Sequence, residues 1–228
     1  GGCAMQHASD AFVADWKRDI VAKALSARGL TPEFRDVETS PAQSRRRAKL
    51  SGRRTKKGAM VGFHAKGSDT LVAVPDCKLL EPALLASFPA LEALTVLACS
   101  RKGEIDLTVT DAPLGPDILV TTEKELTSQL RVELAALANQ HGLSRLVWND
   151  EQVVTINPPA QDFGGTGVVP PPGAFLQATR HGEQALLQAV TEITAKASRI
   201  VDLFAGCGTF TLPLAKRAQV YAVEGESA

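Results

Sequence analysis

Apolar residues recur at two spacings along this chain of 228 residues, and the spacing switches several times. Phe12, Trp16 and Ile20 fall every four residues, and Val13, Ala24 and Leu25 widen the stripe. Ser9 stands where a cap belongs, and Gly29 and Pro32 close the segment, so the pattern predicts an amphipathic helix over residues 10–28. Residues 34–75 read as β-structure, with strands over 59–65 and 70–74 and Gly67-Ser68-Asp69 as a hairpin turn. Pro82 suits the first turn of a helix covering much of 82–98. Ile105 to Thr110 alternates as a half-buried strand does, and 118–120 is a short strand. Leu126, Leu130, Leu134 and Leu137 share one face of a helix over 123–140, with Gly142 past its end. Residues 144–179 return to short strands and turns, punctuated by Pro158-Pro159, Gly164-Gly165 and Pro170 to Gly173. A helix over 180–197, burying Ala185, Leu186, Ala189, Val190 and Ile193, precedes a strand at 200–204, a helix at 209–217 and a strand at 219–223.

That order predicts an α/β protein in two parts. Residues 1–157 form an α+β domain, the proline-rich stretch 157–173 is the junction, and 158–228 begin a Rossmann-like domain on a parallel sheet. Hydrophobic residues make up 44% of the chain, which suits a buried core. No apolar run approaches the ~20 residues of a membrane span, and no charged-then-apolar leader opens the chain. Four scattered cysteines do not make a secreted disulfide framework. A cytoplasmic, reducing compartment follows. Gly1 in first place marks either a fragment or a Gly1-Gly2 remnant of tag removal.

Charge adds a second feature. Basic and acidic residues balance at 25 each. Yet eight bases and no acid fall between Arg45 and Lys57, namely Arg45, Arg46, Arg47, Lys49, Arg53, Arg54, Lys56 and Lys57. The rest of the chain is therefore acidic, and a run of one sign points to an anionic partner or to a solvated loop. Phosphate contacts by Lys and Arg would give binding that weakens steeply with salt.

The last segment carries the candidate chemistry. Asp202 sits in a strand, Gly206 and Gly208 in the turn that follows, and Glu224 at the end of the next strand. A cofactor must approach the backbone closely at such a turn, where side chains obstruct it, and an acid at the second strand end can accept hydrogen bonds from ribose hydroxyls. A dinucleotide fingerprint needs a third glycine where this chain has Thr211. The stretch instead resembles the first motif of class I methyltransferases, whose sulfonium cofactor S-adenosylmethionine has no pyrophosphate.

Three longer stretches resemble the RNA 5-methyluridine methyltransferase family. They are Gly173-Ala-Phe-Leu-Gln-Ala-Thr-Arg-His-Gly-Glu-Gln184, Val201-Asp-Leu-Phe-Ala-Gly-Cys-Gly-Thr-Phe-Thr-Leu-Pro-Leu-Ala215 and Val223-Glu-Gly225. The resemblance implies a class I methyltransferase domain in which Gln177, Phe204, Thr209 and Glu224 contact S-adenosylmethionine, with Thr209 where many relatives carry Asn. Gly1-Gly-Cys-Ala-Met-Gln-His7 and Val74-Pro-Asp-Cys-Lys-Leu-Leu80 are similar to two parts of the family's iron–sulfur element. They imply Cys3 and Cys77 as two of the four thiolate ligands of a four-iron four-sulfur cluster, the other two lying upstream of Gly1. That element tilts the resemblance towards the ribosomal-RNA branch, with 23S ribosomal RNA as the expected substrate and a monomer as the expected state. Arg45, Arg46, Arg47, Lys49, Arg53 and Arg54 become candidates for RNA contact.

The reaction implied is attack of a cysteine thiolate on carbon 6 of uracil, methyl transfer to carbon 5, and removal of the carbon 5 proton by a base. The family's nucleophile and base are expected after Ala228, so no residue here is assigned a catalytic role and the 228 residues alone are expected to be inactive. Cys207 lies between the two glycines but not at the family's nucleophile position, and Cys99 matches no ligand. His7, His64, His141 and His181 form no metal-spaced cluster. Two other readings remain open: a methyltransferase of this fold with another acceptor, and a non-catalytic iron–sulfur module that binds RNA.

Overall fold

The computed structural model describes residues 5–100 and 103–225. Its first helix, α1 (Asp10–Ser26), is capped by the Ser9 hydroxyl, which accepts from the Phe12 N–H at 3.3 Å. No residue of α1 is buried, so the stripe of Phe12, Trp16 and Ile20 faces outward. The chain then runs without regular structure to Arg45.

Seven strands build one sheet in the order β3-β2-β1-β4-β5-β6-β7. They are β1 (Arg47–Arg54), β2 (Ala59–His64), β3 (Leu71–Ala73), β4 (Glu104–Thr110), β5 (Asp117–Thr121), β6 (Arg145–Trp148) and β7 (Glu151–Thr155). Neighbours are antiparallel except β5 and β6, which run parallel and are joined over one face by α4 (Ser128–Gln140). A parallel pair needs such a crossover, because no tight turn can reverse the chain twice.

The sequence predicts one helix over 82–98, and the structure has two. These are α2 (Pro82–Ala86) and α3 (Phe88–Ala98), separated at Ser87. Pro89 has no N–H to return to Leu85, so the first helix stops and Ser87 bonds the Leu84 carbonyl at 2.6 Å instead. The helix predicted over 123–140 begins later, at Ser128, where the Thr127 hydroxyl caps it by accepting from the Leu130 N–H.

Helices α3 and α4 cover one face of the sheet. Leu50, Leu91, Leu94, Leu107, Ile118, Val120, Leu134 and Leu146 lie fully buried between them. Half of the basic run, Arg47, Lys49, Arg53 and Arg54, lies in β1, between β2 and β4 in the strand order. Alternation explains how a strand so rich in charge sits there. Ala48 and Leu50 enter the core while Lys49 stays exposed on the other face.

The opposite face is partly covered by residues 158–179. This segment carries a small antiparallel pair, β8 (Gln161–Asp162) and β9 (Gly167–Val168), and buries Phe163 and Leu176. Arg47 Nη2 donates to the Gly173 carbonyl at 2.8 Å. Arg145 forms a two-pronged pair with Asp117 at 2.7 and 2.8 Å and also donates to the Pro170 carbonyl. The proline-rich stretch is therefore strapped to the sheet that precedes it. Helix α5 (Arg180–Ile193) follows, shorter than predicted and capped by Thr179. The last unit is β10 (Arg199–Leu203), α6 (Thr211–Ala215) and β11 (Gln219–Val223), with β10 and β11 paired parallel.

Candidate cofactor and RNA-contact sites

The turn after β10 is held from both strands. The Ala205 N–H donates to the Val223 carbonyl at 3.1 Å, and the Gly208 N–H to the Ala205 carbonyl at 2.9 Å. Gly206 and Gly208 take φ values of 55° and 87°, a region that costs other residues steric strain. Around Gly206 a Cβ would meet nothing within 4 Å, so open space lies over the turn. Glu224 Oε2 accepts from the Gly206 N–H at 2.6 Å, which ties the acid at the end of β11 directly to the turn. Asp202 accepts from the Thr211 hydroxyl at 2.5 Å and anchors the start of α6 to β10.

The predicted cofactor residues fall in two places. Phe204 stands in the turn at φ 61°, unusual for a residue with a side chain, and is 89% exposed. Thr209 follows Gly208 and is half-buried. Glu224 completes this group. Gln177 lies before α5, half-buried, and no hydrogen bond joins it to the turn among the described residues. The helix predicted over 209–217 is only five residues long and starts at Thr211, after Thr209 and Phe210. A helix this short contributes little dipole, and the N–H groups of Gly206 and Gly208 are already held by Glu224 and by the Ala205 carbonyl.

Cys207 sits in this turn, and burial pushes its thiol up, with the Glu224 carboxylate adding to the shift. A nucleophilic cysteine needs the opposite shift. Burial likewise raises the Cys99 thiol, which lies against the Gly52 carbonyl.

The six basic candidates separate sharply. Lys49 is exposed and pairs with Asp106 at 2.7 Å. Arg53 reaches Glu104 at 2.5 Å on the same face, and the second oxygen of Glu104 meets His64 Nε2. Burial disfavours charge on Glu104, but the hydrogen bonds from Arg53 and His64 outweigh it and hold the carboxyl below its usual range. Arg45 is half-buried and donates to the Arg47 carbonyl. Burial, with the charge of Arg45 beside it, lowers the Arg47 pKa. Arg54 donates to the Val96 and Cys99 carbonyls and so closes the C-terminal end of α3.

Arg46 is the correction. It is 2% exposed, and its guanidinium is turned inward onto Glu183, Gln161 and the Gln177 carbonyl, so it has no surface to offer RNA. Sequence reading missed this because its partner Glu183 lies 137 positions away, with no periodicity to connect them.

Cys77 is half-buried, and its sulfur accepts from the Leu79 N–H at 3.4 Å. Cys3 lies outside the described residues. Among the described residues, no group of three or more His, Cys, Asp and Glu is arranged to hold a metal ion. No helix among them is long and apolar enough to cross a membrane.

No family model matches the chain. An uncharacterized RNA methyltransferase of Rhizobium meliloti strain 1021 is 38% identical over 226 residues, which cover 99% of this chain and 54% of that protein. One of Mesorhizobium japonicum is 35% identical over 228 residues, covering 100% of this chain and 55% of that protein. The 23S rRNA (uracil(1939)-C(5))-methyltransferase of Cronobacter sakazakii is 34% identical over 239 residues, covering 100% and 54%. Among solved structures, the fold matches the Pyrococcus abyssi tRNA (uracil-54, C5)-methyltransferase in complex with S-adenosyl-L-homocysteine. That match has a TM-score of 0.71 and 17% identity, over 99% of this chain and 59% of that one. The chain thus spans about half the length of the curated relatives it matches. Over essentially all of its residues the chain is similar to RNA methyltransferases, a uracil-C5 enzyme among them.

Proposed function

We propose that this chain supplies the cofactor turn and an RNA-facing sheet of an enzyme that methylates carbon 5 of uracil in RNA, with 23S ribosomal RNA as substrate. The observation that carries the reading is the Glu224–Gly206 hydrogen bond across a glycine turn with open space above it. The division into a domain over 1–157 and a cofactor domain over 158–228 belongs to the same proposal, as does a cytoplasmic, monomeric enzyme.

Bound at the turn, S-adenosylmethionine supplies an electrophilic methyl group. Glu224 accepts from the turn through Oε2, and its carboxylate is aligned at the strand end where ribose hydroxyls would donate. Gly206 and Gly208 let the backbone approach the ligand. Phe204, exposed beside them, offers a flat apolar surface, and Thr209 and Gln177 offer polar ones. Lys49, Arg53, Lys56 and Lys57 present the positive charge that remains at the surface of the basic run. Each partner carboxylate, Asp106 or Glu104, can be exchanged for an RNA phosphate.

The four-iron cluster enters only through the resemblance. Cys77 has the N–H···S bond that suits a thiolate ligand, but one described thiol does not make a cluster site, and no step here passes through it.

Calorimetric titration of the chain with S-adenosylhomocysteine tests the cofactor site. Glu224→Ala is expected to weaken binding about tenfold, the worth of one charge-assisted hydrogen bond. Equal affinity in the two proteins would remove Glu224 from the site. The full-length protein, incubated with labelled S-adenosylmethionine and unmodified 23S ribosomal RNA, is expected to place label in 5-methyluridine. Label in another nucleoside would overturn the uracil assignment.

A further inference from the structure

We propose that Arg46 is a positioning residue for Gln177, so that one member of the basic run serves the cofactor side of the reaction. The inference rests on the reading that Gln177 contacts S-adenosylmethionine. It is carried by the directions in which one buried guanidinium is used. Arg46 Nε donates to the Gln177 carbonyl at 3.1 Å, and Nη2 donates to Glu183 Oε2 at 2.5 Å. Nη1 points to Gln161 Oε1 at 3.5 Å. The Arg46 main chain adds its own hold, its N–H donating to the Ala178 carbonyl at 2.9 Å.

These contacts grip the segment on both sides of Gln177. Leu176 is buried just before it, Ala178 is bonded to the Arg46 N–H just after it, and Glu183 lies in the first turn of α5. The far ends of the network are fixed too. Gln161 Nε2 donates to the Asp111 carbonyl, the Asp111 N–H donates to the Arg46 carbonyl, and Arg180 bridges Glu81 and Asp111. Residue 177 is thus held through its main-chain carbonyl by Arg46, the residue just before β1, which leaves its amide side chain uncommitted by the network. A planar guanidinium can serve acceptors in three directions at once, and an ammonium on a flexible stem cannot hold the same geometry. Because a ligand contact displaced by about 1 Å loses much of its worth, the setting of this carbonyl matters for what the Gln177 side chain can reach.

A double-mutant cycle on S-adenosylhomocysteine affinity separates positioning from mere stability. Gln177→Ala and Arg46→Lys are each expected to weaken binding about five- to tenfold, and the double variant no further than the weaker single one. Glu183→Gln, which leaves Arg46 in place but loosens its grip, is expected to fall between wild type and Arg46→Lys. Melting temperatures, taken alongside, identify any variant that has lost its fold. Unchanged affinity in Arg46→Lys, or a loss in the double variant equal to the product of the two single losses, overturns the proposal. A wild-type chain that does not bind the cofactor, or a Gln177→Ala chain that binds as wild type does, overturns the reading of Gln177 beneath it and the proposal with it.

Discussion

The seven-stranded sheet and the β10–α6–β11 unit are built on opposite terms. The sheet closes a core of fully buried leucines, isoleucine and valines against two helices, and its second face is strapped by buried ion pairs. The β10–β11 pair keeps Val201 and Leu203 more than 60% exposed, and Tyr221 is as open. Its order comes from short-range bonds around one turn instead. The contrast teaches that a tight turn can be specified locally by glycines and an acid, while the sheet draws rigidity from contacts made over a hundred residues away.

Two substitutions break the comparison most directly. Leu107→Ala in β4 removes a fully buried side chain and is expected to destabilise the chain by about 2–5 kcal/mol. Leu203→Ala in β10 is expected to change stability by no more than about 0.5 kcal/mol. Denaturant unfolding measures both, and similar losses would mean that β10 shares the core. Gly52→Val comes next. A Cβ there would lie 2.2 Å from Thr95 Oγ1 in the middle of α3, so the helix must lift from the sheet, at a cost of about 1–3 kcal/mol. An unshifted midpoint would show that α3 has room to move.

The smallest effect sharpens the exposed face. Glu104 has its folded pKa below the ordinary 4.5, so its stabilising contribution is complete above that value and is lost as the pH falls through the lower, folded one. Glu104→Gln is therefore expected to flatten the acid limb of a melting-temperature profile below pH 4.5 and leave its neutral part little changed. An acid limb that keeps its slope would assign it to other carboxylates.

What the sequence reveals follows the same division. The β10 turn was legible because its glycines, Asp202 and Glu224 fall within 23 residues and each type has a local reason to be there. Strand β4 was legible from alternation, and β2 and β5 as short strand segments. Strand β1 was harder, because arginines and lysines at successive positions hide the Ala48–Leu50 alternation beneath the charge. The break at Ser87 was encoded in Pro89, but the apolar stripe of 82–98 runs through it and masks the stop. Arg46 could not be read at all: its neighbours are surface cations, and its burial is decided by Glu183 and Gln161, which only the folded sheet brings near.

The place of β1 has a consequence for how the chain is made. Arg47 pairs with Thr110, so the strand holding half of the basic run waits for some sixty further residues before its second neighbour exists. Until β4 emerges that strand has only β2 beside it, and Lys49 and Arg53 are without the acidic partners that β4 carries. Asp106 and Glu104 arrive together on β4 and neutralise Lys49 and Arg53 in the same step that completes the pairing. Docking of β4 thus completes the pairing of β1 and balances its exposed charge in a single event.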